Sequence, residues 1–134
     1  MLSTSLCMAQ ASDKKSRWTK DMLEYKHDYI VKETNMTQAQ RDKFMPQYEA
    51  MEKEIFALHR QNRELARKLS SGQKISDQDY AKAARAMAEV KAKEGEIELR
   101  YLDNFATILS KKQLFLLKQA EAKFTRQMVS KAKK

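Results

Sequence analysis

An all-α fold of four helices, two of them long and joined as a hairpin, is predicted by three features of the sequence. Turn formers are nearly absent: 134 residues include two glycines, Gly72 and Gly95, and one proline, Pro46, whereas a sandwich, barrel or α/β sheet needs many turns. Ala, Lys, Glu, Gln, Arg, Met and Leu dominate, and all are good helix formers. Apolar residues recur at steps of three and four through most of the chain.

The first helix is expected over about Ser16 to Glu33, with Trp18, Met22, Tyr25 and Tyr29 on one face. Thr34 and Asn35 end it, because both favour turns over helix interiors. The second runs from Gln38 to about Leu69. Its apolar seam is Phe44, Tyr48, Met51, Ile55, Leu58, Leu65 and Leu69, with Asn62 in the one gap. Steps alternating between four and three mark a heptad seam for a partner helix. Roughly 32 residues at 1.5 Å each make a rod of about 48 Å, too long for a compact small bundle. Pro46 lies inside its first turns, removes a backbone hydrogen bond to Asp42 and is expected to bend the rod.

Ser70-Ser71-Gly72-Gln73 is the clearest loop and implies an antiparallel hairpin. The third helix is expected from Asp77 to about Thr107, striped by Tyr80, Ala83, Met87, Val90, Ile97, Tyr101, Phe105 and Ile108, with Glu94-Gly95 interrupting the stripe. The fourth follows from Lys111, with Leu114, Leu117, Phe124 and Met128 inward and a basic tail. The seam of the second helix and the alanine-thinned stripe of the third are hard to satisfy within one chain, so a homodimer is expected.

One phrase is written twice: Met36-Thr37-Gln38-Ala39-Gln40 and Leu109-Ser110-Lys111-Lys112-Gln113. Each matches a capping box, in which the hydroxyl accepts from the third helical amide while the glutamine reaches back to the cap residue's own amide. Leu109 and Leu114 are also spaced for a hydrophobic staple, and Ser76 with Asp79 makes a weaker third cap. Helix starts of this kind are worth about 1 kcal/mol each.

The formal net charge is +9. The excess is uneven: five Lys/Arg against one acid from Arg60 to Lys74, and eight against one from Lys111 to Lys134. Such a field favours anionic partners. The opening residues, MLSTSLCMAQAS, are small and apolar, uncharged before Asp13, and contain Ala9-Gln10-Ala11. Residues 1–11 therefore read as the remnant of a secretory signal peptide cut after an A-x-A site, leaving one helical domain over 12–134. Cys7, the only cysteine, leaves with the signal, so no disulfide is expected. No apolar run reaches the ~20 residues that span a bilayer.

Two such boxes bracketing a long basic hairpin, in a small helical chain expected to be exported, resemble the LTxxQ-motif, Spy/CpxP-like periplasmic family. Met36 stands for that family's first leucine and Ser110 for its second threonine; both keep the physical role. The resemblance covers about Ser12 to Lys134. It implies a four-helix protomer whose long bent helices pair antiparallel with a second protomer in a curved cradle. It also implies ATP-independent binding of unfolded or partly folded envelope proteins, or regulation of envelope-stress signalling.

The residues are compatible with that function. Positive charge speeds capture and flexible methionines, of which there are eight, accept many client shapes. Arg60, Arg63, Arg67 and Lys68 are the candidate client-binding residues. A second reading makes the chain a regulatory partner of a membrane-bound stress-signalling protein. A third makes it a cytoplasmic nucleic-acid binder, against which missing recognition motifs and stacking platforms argue, Tyr101 and Phe105 being the nearest candidates.

Catalysis is not expected. There is no phosphate loop, nucleophile elbow or HExxH, and Glu52/Glu54 and Glu96/Glu98 are i, i+2 pairs that point to different faces. Glu24, His27 and Asp28 share a face, but one imidazole without cysteine is a poor metal set, and His27 and His59 read as surface residues. No cofactor is expected.

Overall fold

The computed structural model describes residues 20–72 and 74–132. Among them are four helices and no strand, so the chain is all-α as expected. Helix α1 covers 20–34, α2 Gln38–Leu69, α3 Asp77–Phe105 and α4 Lys111–Ala132. The signal-peptide reading of residues 1–11, Cys7 and Trp18 lie outside the described residues. Two compact units divide the chain. One joins the segment ending at Thr37 to the segment starting at Ser110, and the other is Gln38–Leu109.

In the first unit α1 and α4 run antiparallel. Tyr25 and Tyr29 both meet the Phe124 ring, at 5.9 and 6.0 Å between centroids. The buried positions of α1 are His27, Ile30 and Thr34, facing an α4 stripe of Leu117, Ala120 and Phe124. The inward face is thus rotated from the aromatic one expected. Tyr25 is exposed and Tyr29 half-buried, and both rings lie tilted against Phe124. His27 is a buried residue, contrary to its surface reading.

Asn35 ends α1 with a left-handed φ of 55°. Its amide donates to Lys32 O and that of Met36 to Val31 O, both at 3.2 Å, the paired bonds of a Schellman stop. The Thr34 hydroxyl donates back to Ile30 O at 2.7 Å. A side chain that satisfies itself on the preceding turn explains how a hydroxyl is buried at no cost in unmade hydrogen bonds.

In the second unit α2 and α3 form the expected antiparallel hairpin. Its core lies at the base, where Phe44 packs on Phe105 at 4.7 Å and on Tyr48 at 5.1 Å. Such ring pairs add about 1 kcal/mol each beyond simple burial. Towards the loop the seam thins: Ile55, Leu58, Leu65 and Leu69 are half-buried, and the α3 positions facing outward include Tyr80 and Met87, both more than half exposed. These two were expected within the stripe; alanines beside them leave too little bulk to bring the helices into closer cover.

Polar side chains fill the thin part. Asn62 occupies its seam position with Oδ1 buried and without a hydrogen-bond partner. Glu94 Oε2 accepts from His59 Nε2 across the hairpin at 3.1 Å. Glu94-Gly95 therefore interrupts the apolar stripe but not the helix, and α2 likewise continues without a break through Pro46. At the tip Gly72 takes φ 80°, a conformation that favours glycine. The Ser70 and Ser71 hydroxyls donate to Ala66 O and Lys68 O, closing the last turn of α2.

Candidate functional site

The site begins with how α2 is held. On one flank of its seam Glu54 Oε2 accepts from Arg100 Nη2 at 2.7 Å. On the other flank is the His59–Glu94 contact. Tyr101 adds to the first flank: burial, then its hydrogen bond to Glu54, pushes the phenol pKa above its ordinary value. Clamped on both flanks, α2 has a fixed rotational setting, and its remaining face points away from α3.

That face carries Phe56, Arg60, Arg63 and Arg67. Their steps of four, three and four have the rhythm of the seam but fall one or two residues after its positions, which places them about 140° around the helix from it at 100° per residue. Phe56 is 53% exposed. The Arg63 guanidinium carbon lies 5.4 Å from its ring centroid, a cation–π stack that holds one cation over the aromatic face. Next to it Arg60, Arg63, Glu64 and Arg67 line an open groove of about 240 Å³.

Among the described residues, none of Arg60, Arg63 and Arg67 has a carboxylate partner. The contrast with the same molecule is direct: Arg85 pairs with Glu89 at 2.8 Å and Arg100 with Glu54. Glu64 is four residues from Arg60 and three from Arg67, yet it bonds neither. Three forked donors converge on one groove with their hydrogen-bonding capacity unspent, and guanidinium forks match carboxylates bidentately. Chemically the ridge can hold acidic and aromatic groups side by side.

Three of the four candidate client-binding residues are thus brought together. Lys68 is exposed but sits one residue, about 100°, around from Arg67 and does not line the groove. Phe56 was missed. Its signal was available, since residue 56 begins the 56-60-63-67 series, but the step of one from the heptad seam reads as solvated surface. Methionine contributes less than expected: of the described methionines Met87 is exposed, Met51 is buried, and Met22, Met36, Met45 and Met128 are half-buried. Phe105 is buried and Tyr101 half-buried, so neither is a platform for stacked bases.

The glutamines of the two phrases each make a long-range bond within one unit. In the second, Ser110 N donates to Gln113 Oε1 at 2.9 Å and Gln113 N to Ser110 Oγ at 3.1 Å, the full reciprocal box. Gln113 Nε2 also donates to Thr34 O at 3.3 Å. In the first, Gln40 Nε2 donates to Ile108 O at 3.2 Å. Each glutamine therefore ties the start of its helix to the end of the antiparallel neighbour, a second bond that sequence reading did not foresee. Met36 is half-buried beside Thr37, and Leu109 is buried. Ser76 Oγ accepts from Asp79 N at 3.2 Å, the third cap.

Among the described residues no three His, Cys, Asp or Glu side chains are placed to hold a metal ion. No helix there is long and apolar enough to cross a membrane. No family model, curated protein or solved structure matches the chain.

Proposed function

We propose that the protein is an exported, chaperone-like binder that holds unfolded or partly folded envelope proteins without nucleotide or catalysis. The observation that carries this reading is the outward ridge of Phe56, Arg60, Arg63 and Arg67, its arginines without a carboxylate partner among the described residues and its aromatic ring half in solvent. Charge draws in acidic stretches of a non-native chain, and the ring takes an apolar side chain beside them. Each contact is weak at a wet surface, which suits reversible holding. The A-x-A pattern in the opening residues supports export, and the proposed clients are those of the periplasm. Membership in the LTxxQ family and assembly as a homodimer belong to the same proposal.

The test is aggregation of a chemically denatured acidic client, followed by light scattering without ATP. Wild-type protein suppresses it, and added salt weakens the effect over the range in which the Debye length falls from about 10 Å to 3 Å. The Arg60→Gln/Arg63→Gln/Arg67→Gln variant loses most of the suppression while its helicity is unchanged. Suppression that is absent at every protein ratio, or identical in the variant, contradicts the reading. Capture of one membrane-bound partner without general clients would instead favour the regulatory role.

A further inference from the structure

The outward face of α4 has a pattern that client holding by the α2 ridge does not use. Its inward stripe, Leu117, Ala120 and Phe124, is covered within its own unit. On the opposite side Phe115, Ala122 and Val129 follow one another at seven-residue steps, and all three are exposed. Phe115 is 63% and Val129 51% exposed, and with Ala122 between them they form one apolar line along the helix. Lys111 and Lys118 border this stripe on one side; Lys112, Lys123 and Arg126 border it on the other. Against these cations α4 carries one acid, Glu121, and that is half-buried and paired with Lys118 at 3.1 Å.

We propose that this face of α4 docks on an anionic lipid surface, lying parallel to it with Phe115 and Val129 seated among the headgroups. Charge complementarity selects the occupant. A second copy of the same face would set lysines against lysines. A nucleic acid would neutralise the lysines but leave two apolar side chains against phosphates and water. A bilayer with acidic headgroups satisfies both: aliphatic stems of lysine lie along the apolar stripe while the ammonium groups meet phosphates, and the ring and the valine leave water. Basic residues near such a surface add attraction that decays within a Debye length. The stripe is too narrow for deep insertion, so the attachment is peripheral and reversible, and the α2 ridge belongs to a different unit with its own residues.

Flotation of the full chain with phosphatidylcholine vesicles, with and without roughly a third phosphatidylglycerol, tests this. Binding is expected to the anionic vesicles alone and to be released by salt. The Phe115→Ser/Val129→Ser variant keeps every charge and changes only exposed positions; its partitioning is expected to fall about tenfold, with helicity unchanged by circular dichroism. Arg60→Gln/Arg63→Gln/Arg67→Gln is expected to float as wild type, which separates this surface from the holding ridge. No flotation with anionic vesicles at low salt overturns the proposal. So does flotation insensitive to the Phe115/Val129 pair, which would mean charge attraction without a seated face. Tighter, equally insensitive binding to a single-stranded oligonucleotide or an acidic peptide would also overturn it.

Discussion

Gln113 shows how much one side chain carries. Its Oε1 closes the capping box on Ser110 and its Nε2 holds Thr34 O at the end of α1. The two roles are separable by chemistry. A carboxylate accepts but does not donate. Gln113→Glu keeps the bond from Ser110 N and sets a carboxylate against the Thr34 carbonyl, whereas Gln113→Ala loses both bonds. Gln113→Ala is expected to lower unfolding stability by about 1–2 kcal/mol in urea denaturation, with an unchanged slope. Gln113→Glu should fall below wild type as well; equality with wild type would leave the Thr34 bond without energetic weight. Tyr101 supplies a pH signature. Its phenol is held protonated above the ordinary value of 10.0 by burial and by Glu54. A raised pKa stabilises the fold fully below the unfolded value and loses that contribution as pH rises through the folded one. The stability advantage of wild type over Tyr101→Phe is therefore constant at neutral pH and shrinks above about pH 10. An advantage that stays flat or grows there contradicts the hydrogen bond to Glu54.

At the scale of elements, α2 and α3 display a hairpin that is tightly packed at its base and loosely filled towards its tip. Gly95 sits in the middle of α3 with open space where a Cβ would be and without a left-handed backbone to require it. Gly95→Ala is expected to stabilise the hairpin by about 1 kcal/mol, raising the urea midpoint; a loss of stability would mean that something packs closely against that backbone. The helices, the hairpin loop, the Asn35 stop and the Ser76 and Ser110 caps were legible in the sequence, because hydroxyl–glutamine spacing and period-3.5 seams encode local geometry directly. Rotational settings were legible only in part. In α1 the 22-25-29 and 27-30-34 series have the same rhythm, and only α4 decides which of them is buried. Histidine has no preferred side of that choice, so His27 inside and His59 against Glu94 could not be read from one strand of letters. The second hydrogen bond of each motif glutamine joins residues far apart in the chain, beyond any spacing rule.

At the scale of the whole molecule, the chain crosses between its two units at Thr37/Gln38 and at Leu109/Ser110, inside both copies of the repeated phrase. This answers why the phrase is written twice: each copy starts the helix that enters a new unit and fastens that start to the end of the helix it pairs with. Charge is used for the fold at Arg100–Glu54 and His59–Glu94, whereas among the described residues Arg60, Arg63 and Arg67 have no carboxylate partner. Scattered surface cations would be interspersed with acids; here Arg60, Arg63 and Arg67 face a groove with Glu64 alone among them. The proposed holding of clients and the proposed docking of α4 on lipid involve separate faces with separate residues, so a variant that abolishes one is expected to spare the other.

The most direct measurement is photo-crosslinking to a denatured client from a reactive residue at position 56, with the same residue at position 93, an exposed site on α3, as the control. Holding by the arginine–aromatic ridge predicts client adducts from position 56 that fade with salt and few from position 93. Equal yields from both positions, or none from position 56, would contradict it.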